Sequence, residues 1–244
     1  MYGPVQSRRL GSSLGINPLP VSYKLCSSNC VYCQYGWTPS THPAESITRA
    51  PELLELIEEA FQEHVKLGTP VDCVTLAGNG EPTLHPDLEA LIVGIKRLRD
   101  RYFPSAKVGI LSDATQLHRP EVARALQQLD VRYMKVDAGD EATWRRINLP
   151  LGDARWTRML DGLKALPDII LQSMFIQGSY DNTDEAHVEH WIELVASLRP
   201  LSVQVYTIDR APADAGIVKA PRQRLEAIAA RLTERTNIPA EVYD

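Results

Sequence analysis

The sequence has little that would place the chain in a membrane, outside the cell or along a nucleic acid. It contains no stretch of about 18 uninterrupted apolar residues, so no segment is expected to span a bilayer. Cysteine is scarce, with four residues in 244. Three of them crowd positions 26 to 33 and Cys73 lies apart in an apolar run. That distribution does not suit two structural disulfides and points to a metal site in a reducing compartment. Basic charge is not in excess: 26 Lys and Arg stand against 31 Asp and Glu, for a formal net charge of −5. No broad basic stripe announces an extended electrostatic grip on nucleic acid. The arginine pair in SRRLGSSLGI brushes against a twin-arginine export signal, but Gly11, Ser12 and Ser13 break the run, Pro18 and Pro20 follow, and no apolar signal core forms. A cytoplasmic location is expected. Low-complexity linkers and obvious repeats are also missing, so residues 1–244 are expected to form one domain, with 1–20 as an N-terminal extension.

What is present is a hydrophobic fraction of 44%, enough for a full core. Apolar, β-rich runs recur at Val21–Leu25, Val71–Leu76, Lys107–Leu111, Val131–Val136, Ile169–Phe175 and Leu201–Tyr206. Between them lie stretches of helical periodicity. Leu53, Ile57, Ala60 and Phe61 share one face, behind Pro51 and ahead of Gly68. Leu88, Leu91, Ile92, Ile95 and Leu98 share another. Val188, Trp191, Ile192, Val195 and Leu198 follow a candidate cap at Thr183, and Leu225, Ile228, Ala229 and Leu232 make the last face. Weaker helices are expected near Glu121–Leu129 and Asp153–Leu166. Alternating strands and helices predict an α/β fold with parallel strands and outer helices. Six units fall short of the eight of a closed barrel, so the expected architecture is an open, partial, TIM-like (β/α)6 barrel. The first βα loop, about residues 26–48, carries the cysteines and belongs on the rim where such folds place their sites.

Thiolates bind zinc and iron–sulfur clusters. A structural zinc needs a fourth ligand, which here would be Cys73, His42 or another distant side chain, and Cys73 is expected at the far end of its strand. Three thiolates on a four-iron cluster instead leave one iron open. The spacing Cys26-x3-Cys30-x2-Cys33, with aromatic Tyr32 before the last cysteine, resembles the signature of the radical S-adenosylmethionine (radical SAM) superfamily. GNGEPT, Gly78 to Thr83, follows the second strand and is similar to that family's Gly-Gly-Glu-Pro methionine-binding segment, with Asn79 substituted or inserted. The resemblance implies that Cys26, Cys30 and Cys33 each ligate one iron of a [4Fe–4S] cluster. It also implies that the fourth iron chelates S-adenosylmethionine (SAM), and that reductive cleavage yields a 5′-deoxyadenosyl radical that takes a hydrogen atom from substrate. Tyr32, Gly78, Asn79, Gly80, Glu81 and Pro82 would then contact the cofactor. An electron donor such as flavodoxin or ferredoxin is implied as partner.

Further rim candidates follow from strand periodicity. Tyr133, Lys135 and Asp137 point to one side of their strand, and a lysine and an aspartate there are expected either to bind ligand groups or to pair with each other. Lys135 would neutralise a carboxylate and Asp137 would bind ribose hydroxyls. Ser112 or neighbouring Asp113 is the expected polar ribose contact. Gln172 and Gln204 are amides in apolar strands, placed either in the lumen or as satisfied core groups. Tyr206, Asp209 and Arg210 end the sixth strand. Cys73 reads as a buried small hydrophobe, and the six histidines form no close metal pair.

The segments GPVQSRRLGSSLGINPLP, VDAGDEATWRRIN and VQVYTIDRAPADAG resemble a subgroup related to wyosine-type iron–sulfur oxidoreductases, in which Arg8 or Arg9 would meet cluster, cofactor or an anionic substrate. One relative in that subgroup makes a tricyclic guanine base in transfer RNA and carries further cysteines, which this sequence lacks. The substrate is left open between a small molecule, a protein residue and RNA. The alternative from another class is a non-catalytic zinc protein that uses the cysteine loop for structure.

Overall fold

The computed structural model describes residues 1–41 and 47–244. An eight-stranded sheet runs in the order β1 (Tyr2–Ser7), β2 (Gly11–Ile16), β3 (Cys73–Leu76), β4 (Lys107–Ser112), β5 (Val131–Lys135), β6 (Ile169–Met174), β8 (Ser202–Tyr206), β10 (Ala240–Tyr243). Strand β1 is antiparallel to β2 and every other pairing is parallel. A separate antiparallel pair, β7 (Ile176–Gly178) and β9 (Ile217–Lys219), lies beyond β6 and β8. Helices α1 (Ala50–Lys66), α2 (Leu88–Tyr102), α3 (Pro120–Gln127), α4 (Glu141–Asn148), α5 (Trp156–Ala165), α6 (Glu185–Leu198) and α7 (Arg222–Thr236) connect successive parallel strands. The result is the expected α/β architecture, a sheet curled into an open partial barrel with outer helices.

Five of the six expected strands sit where the apolar runs placed them; the first does not. Val21–Leu25 is a bend whose only bridge is Leu25 to Gly80, and Val21 is 82% exposed. The first parallel strand is β2, within the segment expected as an extension. Its sequence, GSSLGI, is poor in strand formers, whereas PVSYKL is rich in them. Tertiary contacts decide the matter. Leu14 and Ile16 are fully buried in the main core, and the two serines are satisfied. Ser13 Oγ lies 2.9 Å from Thr75 Oγ1, and Ser12 Oγ donates to the Pro70 carbonyl at 2.6 Å. Strand β10 extends the sheet by pairing in register with β8, a partner the periodicity did not reveal.

Helix faces follow the apolar spacing. Ile57 and Phe61 of α1, and Leu91, Ile92 and Ile95 of α2, are buried against Val74, Leu76, Val108 and Ile110 of the sheet. Pro51 lies in the first turn of α1, where its missing N–H is no loss. The cap of α6 is Asp184 rather than Thr183; its carboxylate accepts the Ala186 and His187 amides. The helix expected near 153–166 is α5; a further helix that was not expected, α4, precedes it and is capped by Asp140, which accepts from Thr143 N at 2.9 Å. Gly139 lets this turn meet α6: a Cβ there would stand 2.1 Å from the His190 carbonyl carbon. Trp191 of α6 locks the same contact by donating Nε1–H to the Val136 carbonyl at 3.2 Å. The exits of β5 and β6 are therefore rigid, and they form one side of the rim.

Candidate active site

The cysteine segment is held by main-chain bonds to three separate parts of the chain. The Glu81 amide donates to the Leu25 carbonyl at 2.9 Å, joining it to the glycine-rich turn after β3. Asn29 and Val31 amides donate to the Leu149 and Ile147 carbonyls, at 3.0 and 2.9 Å, at the exit of α4. The Asp214 amide donates to the Val31 carbonyl at 2.9 Å, after β8. Val31 is fully buried among Ile147, Met174, Ile176 and Ile217. Gly80 is needed for the first of these joints, since a Cβ would fall 1.7 Å from the Leu25 carbonyl oxygen. The three cysteines and the glycine-rich turn thus share one cavity of about 310 Å³ at the C-terminal ends of the parallel strands.

Two polar networks flank that cavity. On the side of β3 and β4, Glu81 is buried. Its Oε1 accepts from Thr83 N at 3.0 Å and Ser112 Oγ at 2.9 Å, and its Oε2 from Asp113 N at 2.6 Å. Burial first, then the Asp113 charge, pushes the Glu81 carboxyl up to about 8. Asp113 accepts from Ser27 Oγ and Ser28 Oγ at 2.8 and 2.9 Å and from Thr115 N at 3.0 Å. Cys26 faces these carboxylates; burial, then Asp113, raises its thiol well above the ordinary value.

On the side of β5 the charge reverses. Lys135 Nζ donates to Cys30 Sγ at 3.0 Å and to Tyr32 Oη at 3.1 Å, and pairs with Asp137 at 3.3 Å. Burial opposes its charge, but Cys30 and Asp137 hold its ammonium well above the usual lysine value. The Tyr32 hydroxyl donates to Asp137. Burial, followed by the Asp137 charge, keeps the Tyr32 phenol well above its usual value. Asn148 Nδ2, from the end of α4, donates to Asp137 Oδ2 at 2.7 Å and to Cys30 Sγ at 3.5 Å.

The expected site residues divide accordingly. Cys26, Cys30, Cys33, Tyr32, Gly80, Glu81, Ser112, Lys135 and Gln172 line the cavity. Gln172 donates to Gln204 behind it at 2.7 Å. Asp137 does not line it: its side chain is 0% exposed, and its oxygens are filled by Tyr32, Asn148 and the Met174 amide, so a ribose cannot reach them. Asn79 also turns away, donating to the Pro20 and Tyr23 carbonyls at 2.9 and 2.8 Å and stitching the bend to the turn. Gly78 lies with it on a neighbouring cavity, and Pro82 is buried at the start of a single 3-10 turn. Asn148, Ser27 and Ser28 were not foreseen. Asn148 is 118 residues from Cys30 and carries no local signal beyond its place at a helix end.

The donor set distinguishes the two metal readings. Among the described residues no three His, Cys, Asp or Glu side chains converge so as to hold a single metal ion. Cys73 is buried at the start of β3, at the opposite end of the strands, and accepts from Thr75 Oγ1 at 3.3 Å. His42 lies outside the described residues, and none of the described histidines lines the cavity. Three thiols spread around a cavity fit a cluster whose irons each take one thiolate, and do not fit tetrahedral zinc.

Comparison with known proteins agrees. The family model described as Radical SAM superfamily matches residues 21–195. The chain belongs to the radical SAM superfamily. Radical SAM enzymes use a [4Fe–4S] cluster and SAM, and they need a reductant and a substrate. The chain is 30% identical over 215 residues to a UPF0026 protein of Helicobacter pylori strain J99, covering 86% of this chain and 66% of that relative. It is 26% identical over 164 residues to the S-adenosyl-L-methionine-dependent tRNA 4-demethylwyosine synthase of Xenopus laevis, covering 59% of this chain and 20% of that one. A radical SAM methyltransferase from Sphaerobacter thermophilus shares the fold, with a TM-score of 0.70 at 15% identity over 95% of this chain and 65% of that one. No helix among the described residues is long and apolar enough to cross a membrane.

Proposed function

We propose that this radical SAM chain initiates hydrogen abstraction on a substrate that enters through the open side of its partial barrel. In this reading Cys26, Cys30 and Cys33 each hold one iron of a [4Fe–4S] cluster, and the segment Gly78–Pro82 receives the methionyl end of SAM, with Gly80 and Glu81 nearest to it. When bound, the cluster and SAM would together supply one-electron reductive chemistry that makes a radical able to take a hydrogen atom. The chain's own residues bind, orient and exclude water. Lys135 and Asn148 offer N–H groups to the Cys30 sulfur and hold it in place. Asp137 holds Lys135, Tyr32 and Asn148 in place without touching the cavity. Ser112, fixed by Glu81, and Gln172, fixed by Gln204, present polar edges for the nucleoside. Met174 and Ile208 add apolar surface to the lining.

The observation that carries this reading is the bridge from Leu25 to Gly80, which puts the cysteine loop and the glycine-rich turn on one cavity. Anaerobic reconstitution with iron and sulfide, followed by dithionite and SAM, is expected to yield 5′-deoxyadenosine, with none from Cys30→Ala. A colourless wild-type protein holding one zinc would overturn it. We assign flavodoxin or ferredoxin as the physiological electron donor and the cytoplasm as the location, since free thiols and a labile cluster require reducing surroundings.

A second reading is modification of a transfer RNA base. It is supported by the similarity to the wyosine synthase and by exposed Tyr35 and Trp37, aromatic rings of the kind on which unstacked bases rest. Retention of transfer RNA that falls steeply with salt is expected in that case; retention indifferent to salt, or none, removes it.

A further inference from the structure

The networks around Glu81 and Lys135 leave another wall of the cavity unexplained. Arg9 lies in the turn between β1 and β2, and its guanidinium carbon sits 4.6 Å from the centroid of the Tyr206 ring. It lines the cavity, yet its Nη1 is buried and has no hydrogen-bond partner. A buried donor left without an acceptor costs on the order of 1–3 kcal/mol, more for a charged group. Arg210, beyond the end of β8, lines the same cavity and forms no ion pair among the described residues.

The carboxylates within reach are already engaged. Glu81 and Asp113 are filled by the donors described above, and Asp209 pairs with Arg8 at 3.5 Å. The other cations are engaged too. Lys24 donates to the Gly36 carbonyl at 2.8 Å, and Lys135 is held by Cys30 and Asp137. Two guanidiniums, that of Arg9 partly buried and that of Arg210 exposed, therefore line one cavity with no ion pair among the described residues, although Asp209 lines it too. Tyr206, which carries Arg9, belongs to β8, four strands away from the β3 turn that carries Gly80 and Glu81.

We propose that Arg9 and Arg210 form an oxyanion subsite that holds a carboxylate or phosphate group of the substrate. This rests on the reading of the cavity as the radical site, and it assigns that site an anionic substrate. The planar fork of each guanidinium matches either oxyanion in a bidentate way. Stacking on Tyr206 fixes the plane of Arg9 before the anion arrives, so little side-chain freedom is lost on binding.

The test is calorimetric titration of the full chain with inorganic phosphate and, separately, with acetate, at constant ionic strength set by chloride. Saturable binding of at least one anion to the wild type is expected, and the preferred anion identifies the substrate's group. Arg9→Gln and Arg210→Gln are each expected to weaken it by about tenfold or more. Arg9→Lys, which keeps the charge and loses the fork, should fall between, and provides the comparison if Arg9→Gln melts early. Absence of binding by both anions, or undiminished binding by the variants, overturns the subsite. Equilibrium dialysis with SAM supplies the control: equal loss of SAM binding in Arg9→Gln would assign the arginines to the cofactor and also overturn it. Anion binding that follows this pattern in a protein forming no 5′-deoxyadenosine would sink the catalytic reading and leave the subsite standing.

Discussion

Cys26 and Cys30 are four residues apart, and the fold gives them opposite surroundings. Cys26 faces buried Glu81 and Asp113 from the ends of β3 and β4. Cys30 faces the Lys135 ammonium and the Asn148 amide, from β5 and α4. Neither wall is a simple surface ion pair. The acidic wall is stabilised by main-chain and hydroxyl donors, the cationic wall by a carboxylate entirely out of water. Buried charges are tolerated only when their partners are fixed, so this separation of charge depends on the framework that fixes them. Under the proposed function, this polarity would turn the ammonium of a zwitterionic amino acid group toward the β3 side and its carboxylate away from it.

The polarity can be broken at its supports. Asp137→Ala removes the carboxylate that pairs with Lys135. Unfolding in urea is expected to show a loss of about 3–5 kcal/mol, the largest of this set; a loss under 1 kcal/mol would mean that the wall does not rely on Asp137. Gly80→Ala strikes the joint between the walls. The clash with Leu25 should remove about 1–3 kcal/mol or more and reduce the iron bound after reconstitution, measured as iron and sulfide per chain.

Glu81→Gln removes a titrating group from the acidic wall and has a pH signature. The folded Glu81 carboxyl is raised from 4.5 to about 8. Between those values the folded chain keeps a proton that the unfolded chain has released. Stability therefore falls as pH rises through that window. Glu81→Gln is expected to flatten the slope before cluster reconstitution, and parallel slopes for variant and wild type would show that Glu81 is not protonated in the fold. Lys135→Met has the smallest expected effect. Loss of a positive N–H donor at a cluster sulfur should lower the reduction potential by tens of millivolts, read by redox titration with electron paramagnetic resonance.

The parts of this site that were legible in the sequence are the local ones. Three cysteines within eight residues and a six-residue turn carry their own spacing, and both lie where the parallel strands end. Helix faces at α1, α2, α6 and α7 were legible because burial follows their period. Residues that depend on distant partners were not. Gly11–Ile16 is a strand because Thr75, Pro70 and Asp72 receive it, and no local propensity says so. Asp137 and Asn79 were expected at the ligand; the structure uses Asp137 to brace Lys135 and Tyr32, which line the cavity, and Asn79 to stitch the bend at Pro20 and Tyr23 to the glycine-rich turn. Period-two reasoning finds the side of a strand, but it does not tell which of two polar neighbours faces the lumen and which braces it.

Val31 has a consequence for maturation. Its amide and carbonyl connect it to Ile147 and Asp214, 116 and 183 residues further along the chain. A segment fastened across such distances closes late, because the long loops must form before their contacts reward them. Under the proposed function, iron and sulfide would therefore meet a receptacle already shaped by the finished polypeptide, unlike a zinc finger, whose metal drives its folding.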